Sequence, residues 1–259
     1  LPPREMPWRR GGRPLKQWRY VGVYGPDLML CVGSVRLGPF RQEFWAVWDR
    51  AAGVLHERTR RRHAAVSLPE RAVRVRDGDV RIDLELDEVP GVETVCPSGT
   101  SYGWTRKQGG IAATGTVRVG GVERRVDARA VVDDTAGYHA RHVRWHWSAG
   151  VGTTTDGREV AWNLVEGIND PATSSERSVW VDGVVEEPGP NDFAADLSRV
   201  DGLRFHQESV RERRENFGLA RSRYRQPFGT FTGRVPTAAG DGPELATAHG
   251  VMELHDAFW

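Results

Sequence analysis

The chain has 259 residues, 39% hydrophobic and 27% charged, and a formal net charge of +1. That balance excludes a nucleic-acid footprint, which needs a concentrated basic surplus, and the length admits one large β domain or two small ones. No stretch approaches the roughly 20 apolar residues of a membrane-spanning helix.

Taken in order, the elements read as strands. Lys16 and Lys107 are the only lysines in an arginine-rich chain, a usage that fits a GC-rich coding bias. Arg58, Arg60, Arg61 and Arg62 follow Glu57 and precede Glu70, so the run reads as a solvated strand end. In residues 79–87, Val80, Ile82, Leu84 and Leu86 fall on one face and Arg81, Asp83, Glu85 and Asp87 on the other, the alternation of a half-buried antiparallel strand. Residues 122–130 repeat it, with Val122, Arg124, Val126, Ala128 and Ala130 on one side. Asp77-Gly78, Gly120-Gly121, Asp156-Gly157, Asp182-Gly183 and Asp201-Gly202 supply the positive φ of tight hairpins. Such turns between short strands predict a sandwich or barrel. Only 207–216 has a helical composition, and it reads equally as a charged edge strand. Cys31 and Cys96 lack metal-binding spacing and sit in apolar, strand-like surroundings. With no charged-then-apolar leader at the start, they point to a reducing, cytoplasmic setting, with one disulfide as the alternative.

The chain also repeats itself. Residues 107–117 lie on 225–235 at an offset of 118, matching basic-Gln, Thr-Gly and a final Val. Each copy leads into a polar loop, a strand and an acidic, histidine-containing segment. Upstream, Glu43-Phe44-Trp45-Ala46-Val47-Trp48-Asp49 resembles Glu159-Val160-Ala161-Trp162-Asn163-Leu164-Val165-Glu166. A period this long is a domain duplication, since solenoid units span about 20–50 residues. The expected fold is all-β: two antiparallel barrels or curled sheets, residues 1–150 and 151–259, meeting in the Gly/Thr-rich stretch 148–157.

Several blocks carry a family likeness. They are Lys16-Gln17-Trp18-Arg19-Tyr20-Val21-Gly22-Val23-Tyr24, Trp145-His146-Trp147-Ser148, Trp162-Asn163-Leu164-Val165-Glu166-Gly167, and the ending Gly250-Val251-Met252-Glu253-Leu254-His255-Asp256 with Trp259. Together they resemble a bacterial family designated domain of unknown function 2804. More distantly, the acidic-Gly-aromatic approach to a W-x-W pair is similar to the carotenoid hydratase (hydroxyneurosporene synthase) and AttH-like superfamily. That resemblance implies two lipocalin-like halves. The superfamily includes hydratases and cyclases acting on polyenes and isoprenoids, so the likeness implies the fold and no particular activity.

Three clusters could carry chemistry. If 141–147 is a strand, Arg141, Val143, Trp145 and Trp147 share a face, and His142, Arg144 and His146 the other. Tyr138, Trp145, Trp147, Trp162 and Asn163 could line a flat apolar pocket, with Arg141 holding a carboxylate or carbonyl; the alternative is tryptophans that fill the core and an Arg141 paired with Asp133 or Asp134. His139 and His142 point apart on a strand, so no metal is expected. Glu166 ends an apolar strand as a candidate pocket carboxylate, while Asp170 in Asn169-Asp170-Pro171 reads as a turn former. Glu253 and His255 share a face as an acid/base pair, or else form a polar plug with arginines such as Arg141 or Arg225. Protonating an alkene needs an acid, for which Glu253 and Asp134 are the candidates, and aromatic faces to stabilise the cation.

The chain has no Ser/His/Asp elbow, P-loop or dinucleotide fingerprint; Gly109-Gly110 lacks the required context. The expected partner is therefore an apolar or amphipathic small molecule, with no cofactor, no nucleic acid and no membrane span. The expected activity is acid/base hydration, isomerisation or cyclisation of an isoprenoid- or polyketide-like substrate. The alternatives are a non-catalytic carrier or sensor, and an interaction module filled by its own tryptophans.

Overall fold

Alternating sequence becomes paired strand throughout the computed structural model, which describes residues 1–2, 4–61, 64–216, 218 and 220–258. Arg62 of the arginine run and Trp259 of the C-terminal block lie outside the described residues. Among those described there is no helix. In chain order the strands are β1 (Arg9–Arg10), β2 (Arg13–Pro14), β3 (Lys16–Tyr24), β4 (Leu28–Leu37), β5 (Phe40–Asp49), β6 (Val54–Arg60) and β7 (Val66–Ser67). Then come β8 (Ala72–Asp77), β9 (Val80–Leu86), β10 (Val92–Ser98), β11 (Ser101–Val119), β12 (Val122–Gly137), β13 (His142–Thr154) and β14 (Glu159–Glu166). The last are β15 (Ser178–Val181), β16 (Val184–Glu186), β17 (Arg199–Val200), β18 (Leu203–Asn216), β19 (Arg221–Thr237) and β20 (Gly240–Phe258). The helical alternative for 207–216 is thus replaced by strand β18, bulged between Gln207 and Ser209.

Two large antiparallel sheets share one topology. The first runs β6-β5-β4-β3-β12-β11-β9-β8-β7, with β10 also paired to β11; the second runs β16-β15-β14-β13-β20-β19-β18-β17. In each, four strands meander outward and a second meander returns, so that its last strand pairs with the first strand of the sheet. That shared order is the internal duplication, with β3, β11 and β12 matching β13, β19 and β20. The expected turns have the positive φ their residues favour: Asp182 and Gly183 at 50° and 77°, Gly120 and Gly121 at 58° and 79°.

The repeat of 107–117 on 225–235 falls on the matching strands β11 and β19. The upstream match does not: Glu43–Asp49 lies on β5, whereas Glu159–Glu166 is β14, the counterpart of β4. Both are central strands buried on two faces, which makes their apolar composition alike without positional equivalence. The sheets divide between Gly137 and His142, so 148–157 runs through β13 and its following turn.

Three apolar layers result. One fills the inside of the first sheet (Val21, Val23, Leu30, Ile82, Leu84) and one the inside of the second (Trp162, Leu164, Phe231, Met252). The third lies between them (Tyr20, Met29, Phe44, Trp147, Trp180, Phe228). The first sheet curls until β7 lies against β4 and β5. Glu43 closes that seam, its carboxylate accepting from the Ala65 and Val66 amides at 2.8 and 3.1 Å. Cys31 and Cys96 are free and buried.

Gly109-Gly110 has a structural task. Gly110, at φ 72°, makes the bulge in β11, and Gly109 lets the Trp180 ring of the second sheet lie on the backbone of the first. A Cβ on Gly109 would sit 2.4 Å from that ring. Gly109→Ala is therefore expected to lose about 1–3 kcal/mol of stability by overpacking. Urea unfolding checks this, and adding Trp180→Leu should return part of the loss.

Candidate functional site

The strands that face one another across the middle layer are buried on both sides, so polar residues there must be paired. The duplication builds one constellation twice. In the first copy Lys107 on β11 is ion-paired with Asp133 on β12, and the Trp18 indole donates to the same carboxylate at 3.2 Å. In the second copy Gln226 on β19 donates to Glu253 on β20 at 2.9 Å, and the Trp145 indole donates to Glu253 at 2.9 Å. The Gly110 bulge adds one residue to the first copy. Lys107 therefore matches Gln226 in space, although the sequence offset beyond the bulge sets it against Arg225. Tyr20 and Trp147, matching positions on β3 and β13, meet edge-on across the layer with centroids 5.2 Å apart.

The two copies differ in charge. Lys107 is 1% exposed; burial pulls its pKa down, but Asp133 and Glu176 outweigh this and hold it above the ordinary value. Glu176 reaches in from the second half, 3.2 Å from the ammonium. Burial pushes its carboxyl up to about 7, against the opposing pull of Lys107. Asn169, an asparagine at φ 50°, donates to Glu176 at 2.9 Å, and the Asn163 amide donates to the Glu176 carbonyl at 2.9 Å.

In the second copy a neutral glutamine replaces lysine. Burial pushes Glu253 up to about 7; hydrogen bonds from Trp145 and Tyr224 and the Arg211 charge pull it down, and the Asp133 charge raises it. A carboxyl at that value holds a proton near neutrality and can donate it. Arg211 is buried over the rings of Phe44 and Tyr224 at 4.3 and 4.9 Å, and its Nε lies 2.9 Å from Glu57. His255 packs on Trp145 at 4.3 Å and shares a 2.8 Å hydrogen bond with Ser222. Burial and then Arg211 push its pKa down to about 3, so it is a neutral imidazole at pH 7. Burial also raises the Tyr20, Tyr24 and Tyr224 hydroxyls well above their ordinary value and pushes the Cys31 thiol up to about 12.

Of the residues singled out from sequence, Glu253, His255, Trp145, Trp147 and Asn163 come together in this layer; Trp147 donates to Asn163 at 2.8 Å. The others lie elsewhere. Asp134 points the opposite way from Asp133, to the inner face of the first sheet, where Arg19 and Arg106 hold it at 2.7 and 2.9 Å. There it borders a hollow of about 830 Å3 with Trp18, Trp104, Leu68 and Glu93. Glu166 faces the inside of the second sheet, 3.0 Å from His146. Trp162 fills the core of that sheet and donates to Ser148 at 3.0 Å. Tyr138 donates to the Pro7 carbonyl at 2.6 Å and anchors the N-terminal segment. Arg141 is exposed over Phe258 at 4.8 Å, paired with neither Asp133 nor Asp134.

Lys107, Asp133, Glu176, Gln226, Tyr224 and Arg211 were not among the site residues expected from sequence. One signal was available for the first: in a chain that uses arginine almost everywhere, both lysines are buried. Lys16 donates to the His139 carbonyl at 3.0 Å.

No helix of the described residues is long and apolar enough to cross a membrane, and no curated protein matches the chain in sequence. Solved structures do match in fold. An AttH-like protein of Nitrosomonas europaea is 13% identical with a TM-score of 0.52, covering 98% of this chain and 97% of its own. Kievitone hydratase of Nectria haematococca is 11% identical with a TM-score of 0.54, covering 92% of this chain and 88% of its own. At such identities the likeness concerns the fold alone, and it extends over both sheets. A family model matches residues 56–259, from β6 through all of the second sheet, and by that match the chain belongs to the family described as Domain of unknown function (DUF2804).

Proposed function

We propose that the protein is a cofactor-free acid/base enzyme acting on an apolar or amphipathic alkene, with Glu253 as proton donor and hydration as the leading reaction. The observation that carries this reading is the contrast between the two copies. The same carboxylate position is salt-bridged to Lys107 in one and hydrogen-bonded by the neutral Gln226 and Trp145 in the other, where burial raises the carboxyl to about 7. Paired carboxyl groups in contrasting environments are a common basis for dividing acid and base roles. Kievitone hydratase, similar in fold, is by its name a hydratase, which agrees with the reaction class and leaves the substrate open.

Glu253 gives its proton to one alkene carbon. The cation forms on the other carbon, beside the Trp145 ring, whose face favours positive charge. Water adds there, and its surplus proton returns to the Glu253 carboxylate. An acid near pKa 7 is a weak donor to carbon, so the alkene must yield a tertiary or conjugated cation. Isoprenoid- and polyketide-like polyenes meet that condition. Isomerisation or cyclisation follows if a proton is lost, or a second alkene attacks, before water does. The half-buried Trp145 must turn aside to admit the substrate.

The 830 Å3 hollow beside Trp104 favours a second reading, a carrier that binds an amphipathic ligand there without chemistry. Incubating the protein with a polyene panel in water labelled with heavy oxygen separates the two. The enzyme reading expects labelled alcohol, abolished in Glu253→Gln while ligand affinity stays within about tenfold. Ligand uptake that is lost in Trp104→Ala, with no product from any polyene, would replace it with the carrier reading.

A further inference from the structure

The inner face of the second sheet carries a charge pattern that the first sheet lacks. At the level of Trp104, the first sheet has a cross-strand row of Gln17, Ala136, Trp104 and Val95, the first three of which line its hollow. The matching row of the second sheet is Arg144, Asp256, Arg223 and Arg214. Arg214 and Arg223 stand directly opposite each other on neighbouring strands, an arrangement that destabilises a sheet when nothing lies between the charges. Asp256 takes its 2.8 Å partner from His142. Among the described residues none of Arg144, Arg214 and Arg223 has an ion pair, in a chain where most arginines do. They border a hollow of about 220 Å3 with Arg225 and Leu254, and Arg221 beside Phe258 extends the basic rim.

We infer that this mouth is an anion site for a phosphoryl group, held by Arg144, Arg214 and Arg223. Glu212 and Arg225, which also line the hollow, neutralise each other, and Arg213 is paired with Glu215. Arg144, Arg214 and Arg223 against Asp256 therefore leave a surplus close to the charge of a phosphate monoester, about −1.5 to −2 at neutral pH, and guanidinium forks match phosphate oxygens bidentately. The site lies on the opposite face of β19 and β20 from Glu253, so it stands or falls independently of the acid/base reading. The phosphoryl group can belong to a soluble phosphorylated molecule or to a lipid headgroup.

Two probes distinguish these sources: inorganic phosphate, followed by calorimetry at constant ionic strength, and phosphatidylcholine vesicles containing phosphatidic acid, followed by co-sedimentation. Saturable binding of phosphate alone indicates a soluble ligand; binding of the vesicles alone indicates a lipid headgroup. Arg144→Gln restores the residue type of the first copy and is expected to weaken binding at least about tenfold by removing charge-assisted hydrogen bonds. Arg214→Glu is expected to abolish it and to raise the phosphate-free Tm by relieving the Arg214/Arg223 repulsion. Glu253→Gln should bind as the wild type does. Wild-type protein that binds neither probe overturns the inference, and so does undiminished binding in both arginine variants.

Discussion

Replacing Lys107 with Met is expected to destabilise the protein by about 3–5 kcal/mol, the usual effect of stranding buried charges by removing their partner. Lys107 is the cation that Asp133 and Glu176 share inside the middle layer, and methionine keeps its length while removing the charge. The effect depends on pH with a defined sign. Glu176 already has its pKa raised to about 7 by burial, and Lys107 is the group that pulls it down. Without Lys107 the folded-state value rises further. A raised carboxyl contributes stability below its unfolded value, near 4.5, and loses it as pH rises through the folded value. The deficit of Lys107→Met relative to wild type should therefore be smaller near pH 4.5 and grow through pH 7 and above. Denaturant unfolding at several pH values measures it. Combining Lys107→Met with Asp133→Asn and Glu176→Gln leaves no stranded charge and should recover most of the loss; failure to recover would mean that Lys107 matters through packing rather than charge.

The outer strands were the legible ones. Residues 79–87 alternate because β9 buries one face and exposes the other, and Asp182-Gly183 announces its turn because few other residue pairs adopt two positive φ values in succession. Legibility fails where a strand is buried on both faces. Ala130 through Asp133 on β12 are all buried, so alternation could not tell which of the adjacent Asp133 and Asp134 faces the neighbouring sheet. The answer lies in the unbroken register of β12 with β3, which puts Asp133 with Val131 toward the neighbouring sheet and Asp134 with Val132 inside. The bulge at Gly110 sets only which residue of β11 meets Asp133. Glu176 lies in a loop with no periodicity to place it. The faces of β13 and β20 were readable because Trp145 with Trp147, and Glu253 with His255, lie two apart on strands whose ends reach solvent. What sequence could not reveal was that matching carboxylates from the two copies occupy one layer with different partners, a lysine in one and a glutamine in the other.

Glu253→Gln is expected to produce a gain and a loss together, and their combination separates a catalytic acid from a structural plug. The gain is in stability at high pH. Glu253 has a folded pKa near 7 against an ordinary 4.5, chiefly through burial. Ionising it in the fold therefore forfeits about 3 kcal/mol, at 1.36 kcal/mol per unit. That stability is fully present in wild type below pH 4.5 and disappears as pH rises through 7. Glutamine does not titrate, so the variant should match wild type near pH 4 and exceed it near pH 8. The amide can keep the Trp145 hydrogen bond, and Gln226 can reverse its own amide to accept from it, turning its NH2 toward the weakly accepting Cys31 sulfur. The loss is in turnover. If Glu253 donates the proton, wild-type kcat falls as pH rises past about 7 and the variant is inactive at every pH, although it is the more stable protein. A plug predicts the same stability curves with turnover unchanged. Only an acid required by the reaction makes the more stable protein the inactive one.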